Sequence, residues 1–182
     1  MTAILAGILI GIGDIANITA ESKVVGALLF SVALLSIIRL RLPLYTGRIG
    51  KVITNRNPLE CLKILWLNIM GVALTTGAVI VFGDDLVTKL DLSATAKFSK
   101  GNLSLFVAGI MCNVLIHIAV SAKSEVITIL CVMVFILSGY EHSIADVMFA
   151  LASGNLIKWA IVVAGNTVGG IATEFLLRGG TQ

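Results

Sequence analysis

Apolar residues fall into six long blocks along the chain, at positions 3–20, 24–38, 59–82, 103–122, 126–152 and 156–177. Short polar stretches divide them, at 21–23, 55–58, 84–100, 123–125 and 153–155. A helix needs about 20 mainly apolar residues to cross a bilayer. The pattern therefore predicts six crossings, joined by connections too short to hold a soluble domain. Two blocks depart from it. Positions 24–38 are too few to span comfortably, and Arg39, Arg41, Pro43 and Gly47 follow. Pro43 lacks an N–H and disfavours helix at Leu42, while Gly47 permits unusual dihedrals. The expectation is a half-helix, a loop over residues 42–47 at membrane depth, and a second short helical piece over residues 48–54. In the fifth block the tetrad Glu141-His142-Ser143-Ile144 interrupts the apolar run, with Gly139 just before it. A helix break is expected there too, near residues 139–143.

Interruptions in the second segment and in the fifth suggest an inverted repeat, segments one to three against four to six. The halves would run over about 1–83 and 101–178, inside one membrane domain covering residues 1–182. Paired interruptions of this kind point to a binding site at the repeat interface. The plainer alternative is two kinks in an ordinary helical bundle.

Composition narrows the class. The chain is 58% hydrophobic and 13% charged, with mean hydropathy +1.04, whereas a soluble domain carries about 25% charged residues. An all-α integral membrane protein is expected, with the lipid bilayer as its main partner. Residues 3–18 lack a basic leader and a small-residue cleavage site, so they read as a first crossing, not a cleaved signal. The net charge of +3 is too small to argue for nucleic acid. Cys61, Cys112 and Cys131 lie in or beside apolar blocks without metal-ligand spacing and read as buried thiols. No nucleophile–base pair, phosphate loop or metal-ligand cluster stands out, so neither an enzyme nor a cofactor is expected. With the N-terminus inside, six basic residues (Arg48, Lys51, Arg56, Lys63, Lys123, Arg178) face the cytoplasm and five (Lys23, Lys89, Lys97, Lys100, Lys158) face out. That bias inclines both termini to the cytoplasmic side.

Ionisable groups inside a membrane cost about 2.5–3.5 kcal/mol each on insertion scales, which makes Glu141 and His142 functional candidates. His142 either faces a substrate or bonds backbone freed by the break. Thr46 is a local loop cap or a partner for the substrate or His142. Glu141 reads as an acceptor for loop N–H groups. Asn68, Asn113 and Asn166 either satisfy broken-helix backbone or touch substrate. His117, on an apolar helix, reads as an interface or packing histidine rather than a second relay. Arg39 and Arg41 either snorkel, pair with Glu60 or Asp14, or draw in anions. Gly7 with Gly11, and Gly165 with Gly169, have the spacing that lets helices approach closely.

Five motifs in order resemble the formate/nitrite transporter family. They are Leu44-Tyr45-Thr46-Gly47, Asn68-Ile69-Met70-Gly71, Gly109-Ile110-Met111-Cys112-Asn113, the stretch from Gly139 through Glu141-His142-Ser143 to Asp146, and Gly165-Asn166-Thr167-Val168-Gly169-Gly170. The resemblance implies an aquaporin-like hourglass bundle, a homopentamer with one pore per protomer, and a multi-pass protein of a prokaryotic inner membrane. It also implies two apolar constrictions, for which Phe30, Leu34 and Leu44 stand upstream of Thr46 and Phe135 upstream of His142. Lys97 matches a family lysine entering the fourth segment. Two features depart from the family: Pro43 stands where an acidic residue is usual, and Arg39 and Arg41 are unusual at this depth.

These residues suggest a mechanism. An anion cannot cross an apolar constriction cheaply, because desolvating a charge costs far more than local contacts return. A protonated weak acid can. The expectation is a path for small monovalent anions such as formate, nitrite or hydrosulfide, with protons as co-substrate. Positive potential from Lys97 would attract the anion, and His142 would supply a proton near the constriction. Glu141, Asn113 and Asn166 complete the expected pathway. The alternatives are a neutral-solute pore for water, ammonia or urea, against which the absence of Asn-Pro-Ala counts, and a non-conducting membrane scaffold.

Overall fold

The computed structural model describes residues 1–52 and 56–179. Among them are nine α-helices: α1 (Thr2–Thr19), α2 (Lys23–Arg39), α3 (Tyr45–Arg48), α4 (Pro58–Phe82), α5 (Asp84–Phe98), α6 (Asn102–Ser121), α7 (Glu125–Leu137), α8 (Asp146–Ser153) and α9 (Leu156–Gly179). A single 3-10 turn, Ile49–Lys51, continues α3. The end of the short piece expected over residues 48–54, and the polar divider at residue 55, lie outside the described residues. The polar dividers start helices. Ser22 Oγ accepts the Val25 amide at 3.3 Å, Asn57 Oδ1 accepts the Glu60 amide at 3.1 Å with Pro58 at the first helical position, and Ser124 Oγ accepts the Ile127 amide at 3.4 Å.

Four helices, α1, α4, α6 and α9, are long and apolar enough to cross a membrane, and α7 is a shorter apolar helix. Large side chains such as Trp66, Leu74, Ile80 and Ile157 point outward from them and are exposed. Both interruptions expected from the pattern are present. α2 stops at Arg39 before the loop leading to α3, and residues 138–145 separate α7 from α8. The two half-helices end in the same way. Leu42 N bonds Ile37 O at 2.9 Å and Arg41 N bonds Ile38 O at 3.1 Å; Tyr140 N bonds Phe135 O at 2.9 Å and Gly139 N bonds Ile136 O at 3.1 Å. This is the Schellman closure, which needs a left-handed residue at its centre. Gly139 takes that place at φ 69° and Arg41 takes it at φ 54°.

Residues 84–100 differ from the sequence expectation. Taken there as a polar connection, they fold as α5, because Leu86, Leu90, Ala94 and Phe98 recur every fourth residue and bury one face. α5 packs on α1, α4 and α8, with its charged face outward. Lys158 Nζ bonds the carbonyls of Phe98 and of Lys100 (3.2 Å to the latter), placing a cation at the negative end of α5.

α1 packs on α4, and α6 packs on α9. Glycines bring each pair together. A Cβ on Gly7 would lie 2.1 Å from Asn68 O and one on Gly71 2.2 Å from Ile4 O; on Gly165 it would lie 2.3 Å from Phe106 O and on Gly169 2.4 Å from Ile110 O. These distances leave no room for any side chain, so helix backbones touch directly.

Candidate functional site

Two asparagines hold the two broken segments. Asn68 on α4 accepts the Tyr45 amide at 2.8 Å and donates to Ala3 O at 2.8 Å and Pro43 O at 3.0 Å. Asn166 on α9 accepts the Ser143 amide at 2.8 Å and donates to Gly109 O at 2.8 Å and Glu141 O at 2.9 Å. In each case the amide taken lies two residues after the carbonyl taken, and the third bond reaches the first helix of that half. Both side chains are fully buried, where each loose backbone group would cost free energy. Trp159 Nε1 adds a bond to Ser143 O at 2.7 Å.

The clamps bring Thr46 and His142 face to face. Thr46 Oγ1 lies 2.9 Å from His142 Nε2, although 96 residues separate them in sequence. The Ala145 amide donates to His142 Nδ1 at 3.1 Å. Nδ1 is therefore an acceptor, and the ring proton sits on Nε2 and is donated to Thr46. That leaves the Thr46 O–H free to donate elsewhere. The imidazole stacks on Phe135, with ring centroids 5.9 Å apart, and Phe135 meets Phe30 edge-on at 5.9 Å.

A cavity lies on each side of this pair. The first, of about 280 Å³, is lined by Phe30, Phe135, His142, Lys97, Glu141, Asp146 and Asp14 among others. The second, of about 260 Å³, is lined by Leu34, Leu44 and Gly47 and carries Arg41, Arg48 and Lys51 at its mouth. Phe30 and Leu34 sit one turn apart on α2, about 6 Å along its axis. The wall between the cavities is thus thin and apolar, and its polar members are Thr46 and His142.

The other residues expected in the pathway divide, with Lys97 and Glu141 lining the first cavity and Asn113 and Asn166 lining neither. Lys97 is held by carboxylates instead of standing as a free positive charge. It bonds Glu141 Oε2 and lies 2.8 Å from Asp146 Oδ1, with its ammonium 5.0 Å from the Phe149 ring centre. The Asp146 contact is an ion pair too poorly aligned to count as a hydrogen bond. Lys100 bonds Glu141 Oε1 at 2.6 Å and Gly139 O at 2.8 Å. Glu141 therefore takes two ammonium groups, where loop N–H groups were expected. Asn113 and Asn166 line neither cavity; Asn113 Nδ2 bonds Asn166 O at 2.7 Å, so both serve backbone. Arg39 pairs with Glu125 on α7, not with Glu60 or Asp14. His117 is more than packing. Its Nε2 lies 2.7 Å from Glu174 Oε2, and Glu174 also takes Arg178 at 2.6 Å.

Sequence reasoning passed over Asp14, Asp146, Lys100 and Lys158 as site residues. Asp14 had a signal, since it is the one acidic residue in the apolar block at positions 3–20. Asp146 sat unremarked at the end of a motif, Lys100 was hidden because residues 84–100 were taken for a connection, and Lys158 stands on α9 with no local signal. Among the described residues no three His, Cys, Asp or Glu side chains are grouped to hold a metal ion.

A family model described as formate/nitrite transporter matches residues 1–179. Among solved structures, the chain is similar to a pentameric formate channel with formate bound, with a TM-score of 0.79 at 22% identity over 98% of this chain and 94% of that one. It is also similar to an FNT family ion channel, with a TM-score of 0.83 at 21% identity over 100% of this chain and 88% of that one. At such identities the likenesses establish the fold. Among curated proteins none matches this sequence.

Proposed function

The chain belongs to the formate/nitrite transporter family, and from that premise we propose that it conducts small monovalent weak-acid anions, such as formate, nitrite or hydrosulfide, as neutral acids past His142. The observation that carries this reading is the Thr46–His142 hydrogen bond between a cavity lined by both acids and lysines and a cavity whose charged lining is basic. The free Thr46 O–H is a donor for the oxygen of a passing acid. Phe30 and Phe135 form the constriction on the first side, and Leu34 and Leu44 form it on the second. A charged anion does not pass such walls, because an uncompensated ion in an apolar medium costs tens of kcal/mol on Born estimates. The neutral acid pays only for its hydroxyl and carbonyl, which Thr46 and His142 meet.

The arrangement favours a revised role for His142. With Nδ1 accepting from Ala145, the ring is held neutral, and a neutral imidazole is too weak an acid to give up its last proton. His142 then orients Thr46, and protonation takes place beside it. Attraction of the anion falls to Arg41 and Arg48 at the second cavity, since Lys97 is paired. Such a cluster raises local anion concentration and loses effect with salt.

We further read the matching asparagine clamps and matching Schellman closures as an inverted repeat of three segments against three, meeting in an hourglass. The formate channel similar to this chain is pentameric, and we propose the same assembly here, in a prokaryotic inner membrane with both termini cytoplasmic. The test is anion uptake into proteoliposomes at several pH values, comparing wild type with His142→Ala and His142→Asn. Loss of formate, nitrite or hydrosulfide flux in both variants supports the reading. Equal flux of water or ammonia at all pH values, indifferent to His142, favours a neutral-solute pore. No flux of any solute through assembled protein favours a scaffold.

A further inference from the structure

The first cavity holds a buried acid that none of the family motifs includes. Asp14 on α1 is 2% exposed and lines this cavity with His142, and its Oδ2 has no hydrogen-bond partner. It stands next to the aromatic constriction. The preceding residue, Gly13, has no Cβ, and the Phe30 ring packs into that space; a Cβ there would lie 3.1 Å from the ring.

The charges facing Asp14 can be counted element by element. Lys97 comes from α5 and Lys100 from the turn after it, Glu141 and His142 from the break, and Asp146 from α8. α2 and α7 contribute Phe30, Phe135 and Ile136 to the lining, which are uncharged. Both lysines are committed: Lys97 to Glu141 and Asp146, Lys100 to Glu141 and Gly139 O. Among the described residues, no ion pair reaches Asp14. A buried carboxylate without a cation or donors is costly to keep ionised. His142, held in its neutral form through the Ala145 amide, has no proton to spare.

We propose that Asp14 is the proton-exchange residue of the first cavity, the group that converts an arriving weak-acid anion to the neutral acid and takes the proton back on the reverse path. The Asp14 carboxylic O–H breaks and an O–H forms on the anion. Asp14 is left as a carboxylate in the field of Lys97, and it regains a proton from water of the cavity mouth. Nothing is oxidised or reduced. The same step run backwards returns the proton to Asp14, so the direction of exchange follows the proton and anion gradients. The neutral acid then moves between Phe30 and Phe135 to Thr46. This inference rests on the weak-acid reading above.

Two measurements on the assembled protein test it. The first is formate flux into proteoliposomes against pH for wild type, Asp14→Asn and Asp14→Glu. Asparagine keeps the shape and cannot exchange a proton; its flux should fall by about a hundredfold, the scale of a lost acid–base group, and its pH dependence should flatten. Glutamate should restore both. Wild-type flux and pH profile in Asp14→Asn overturn the proposal, as does a loss that glutamate does not rescue. The second is infrared absorption of wild type in detergent. A protonated-carboxyl band that disappears in Asp14→Asn and shifts on adding formate is expected; a spectrum without it overturns the proposal. If that band responds to formate while wild type conducts no anion, proton exchange at Asp14 stands and the channel reading fails. If flux needs His142 and ignores Asp14, the reverse holds.

Discussion

Asn166→Ala removes three hydrogen bonds with one truncation. Ser143 N–H loses its acceptor, and the carbonyls of Glu141 and Gly109 lose a donor. The three are not equal. Gly109 lies inside α6, where its carbonyl also serves the helix, so its loss is small. Ser143 N–H and Glu141 O sit in the break, and Ser143 is fully buried. Leaving a buried donor or acceptor unmet costs about 1–3 kcal/mol. The expected penalty is therefore about 2–5 kcal/mol, toward the severe end for a single substitution. The small cavity left behind adds to it. The same reasoning applies to Asn68→Ala, which frees Tyr45 N–H and Pro43 O, and the two costs should agree within about 1 kcal/mol. Asn113→Ala loses only one bond, to Asn166 O, and should cost about 1 kcal/mol. The assay is equilibrium unfolding in mixed micelles at fixed protein concentration, because assembly shifts apparent stability. Transport reports separately on geometry, since either clamp fixes one partner of the Thr46–His142 bond. A penalty below about 0.5 kcal/mol for Asn166→Ala, with normal flux, would refute the claim that the clamp holds the break.

Glycine substitutions should divide by cause. Gly139→Ala meets only Lys100 Nζ at 3.5 Å, so its cost is the left-handed backbone alone, about 1–2 kcal/mol; Gly7→Ala drives a methyl into Asn68 O and should prevent assembly, which detergent size-exclusion would show. Lys97→Met strands the buried carboxylate of Asp146, leaves Glu141 with Lys100 alone, and should destabilise by about 3–5 kcal/mol. Adding Glu141→Gln and Asp146→Asn should recover most of that loss in the same unfolding assay; no recovery would mean that Lys97 acts by packing on Phe149.

How much of this was legible in the sequence depends on which force set each feature. The long crossings and both breaks were, because bilayer thickness and the backbone preferences of Pro43 and Gly139 act locally. The Thr46–His142 contact was foreseen only as one option, since no local rule joins residues 96 apart. α5 was misjudged although its period of four is plain in Leu86, Leu90, Ala94 and Phe98. Its charged residues, chief among them Asp84, Asp85, Lys89 and Asp91, masked the apolar face in a reading tuned to continuous hydrophobic runs. That error propagated. With α5 taken as a connection, Lys97 reads only as a source of positive potential, and its pairing with Glu141 and Asp146 does not show in the sequence. Arg41 was another case: a left-handed arginine in place of glycine is allowed by packing and closure bonds that the sequence does not display.

The two broken segments use one frame and differ in what the frame presents. Counted from the clamped carbonyl, Pro43-Leu44-Tyr45 corresponds to Glu141-His142-Ser143. The residue between the clamped groups is Leu44 in one half and His142 in the other. Leu44 lines the cavity with the basic mouth, and His142 lines the cavity with the acids. The carbonyl-bearing residue differs in the same sense: Pro43 brings no charge, while Glu141 draws in Lys97 and Lys100. A frame repeated twice fixes both loops at one depth, which is what places a threonine from one within reach of a histidine from the other. Because the side chains differ, the two faces of the wall are chemically unlike, one lined by Arg41 and Arg48 and the other by Lys97, Glu141, Asp146 and Asp14. Exchanging Leu44 and His142 would keep both clamps at a cost of about 1–3 kcal/mol for each buried polar group left unmet, and it would separate the imidazole from Thr46 and from Asp14. Flux would be lost with the fold intact, and retained flux would show that the wall's polarity, not its handedness, is what conducts.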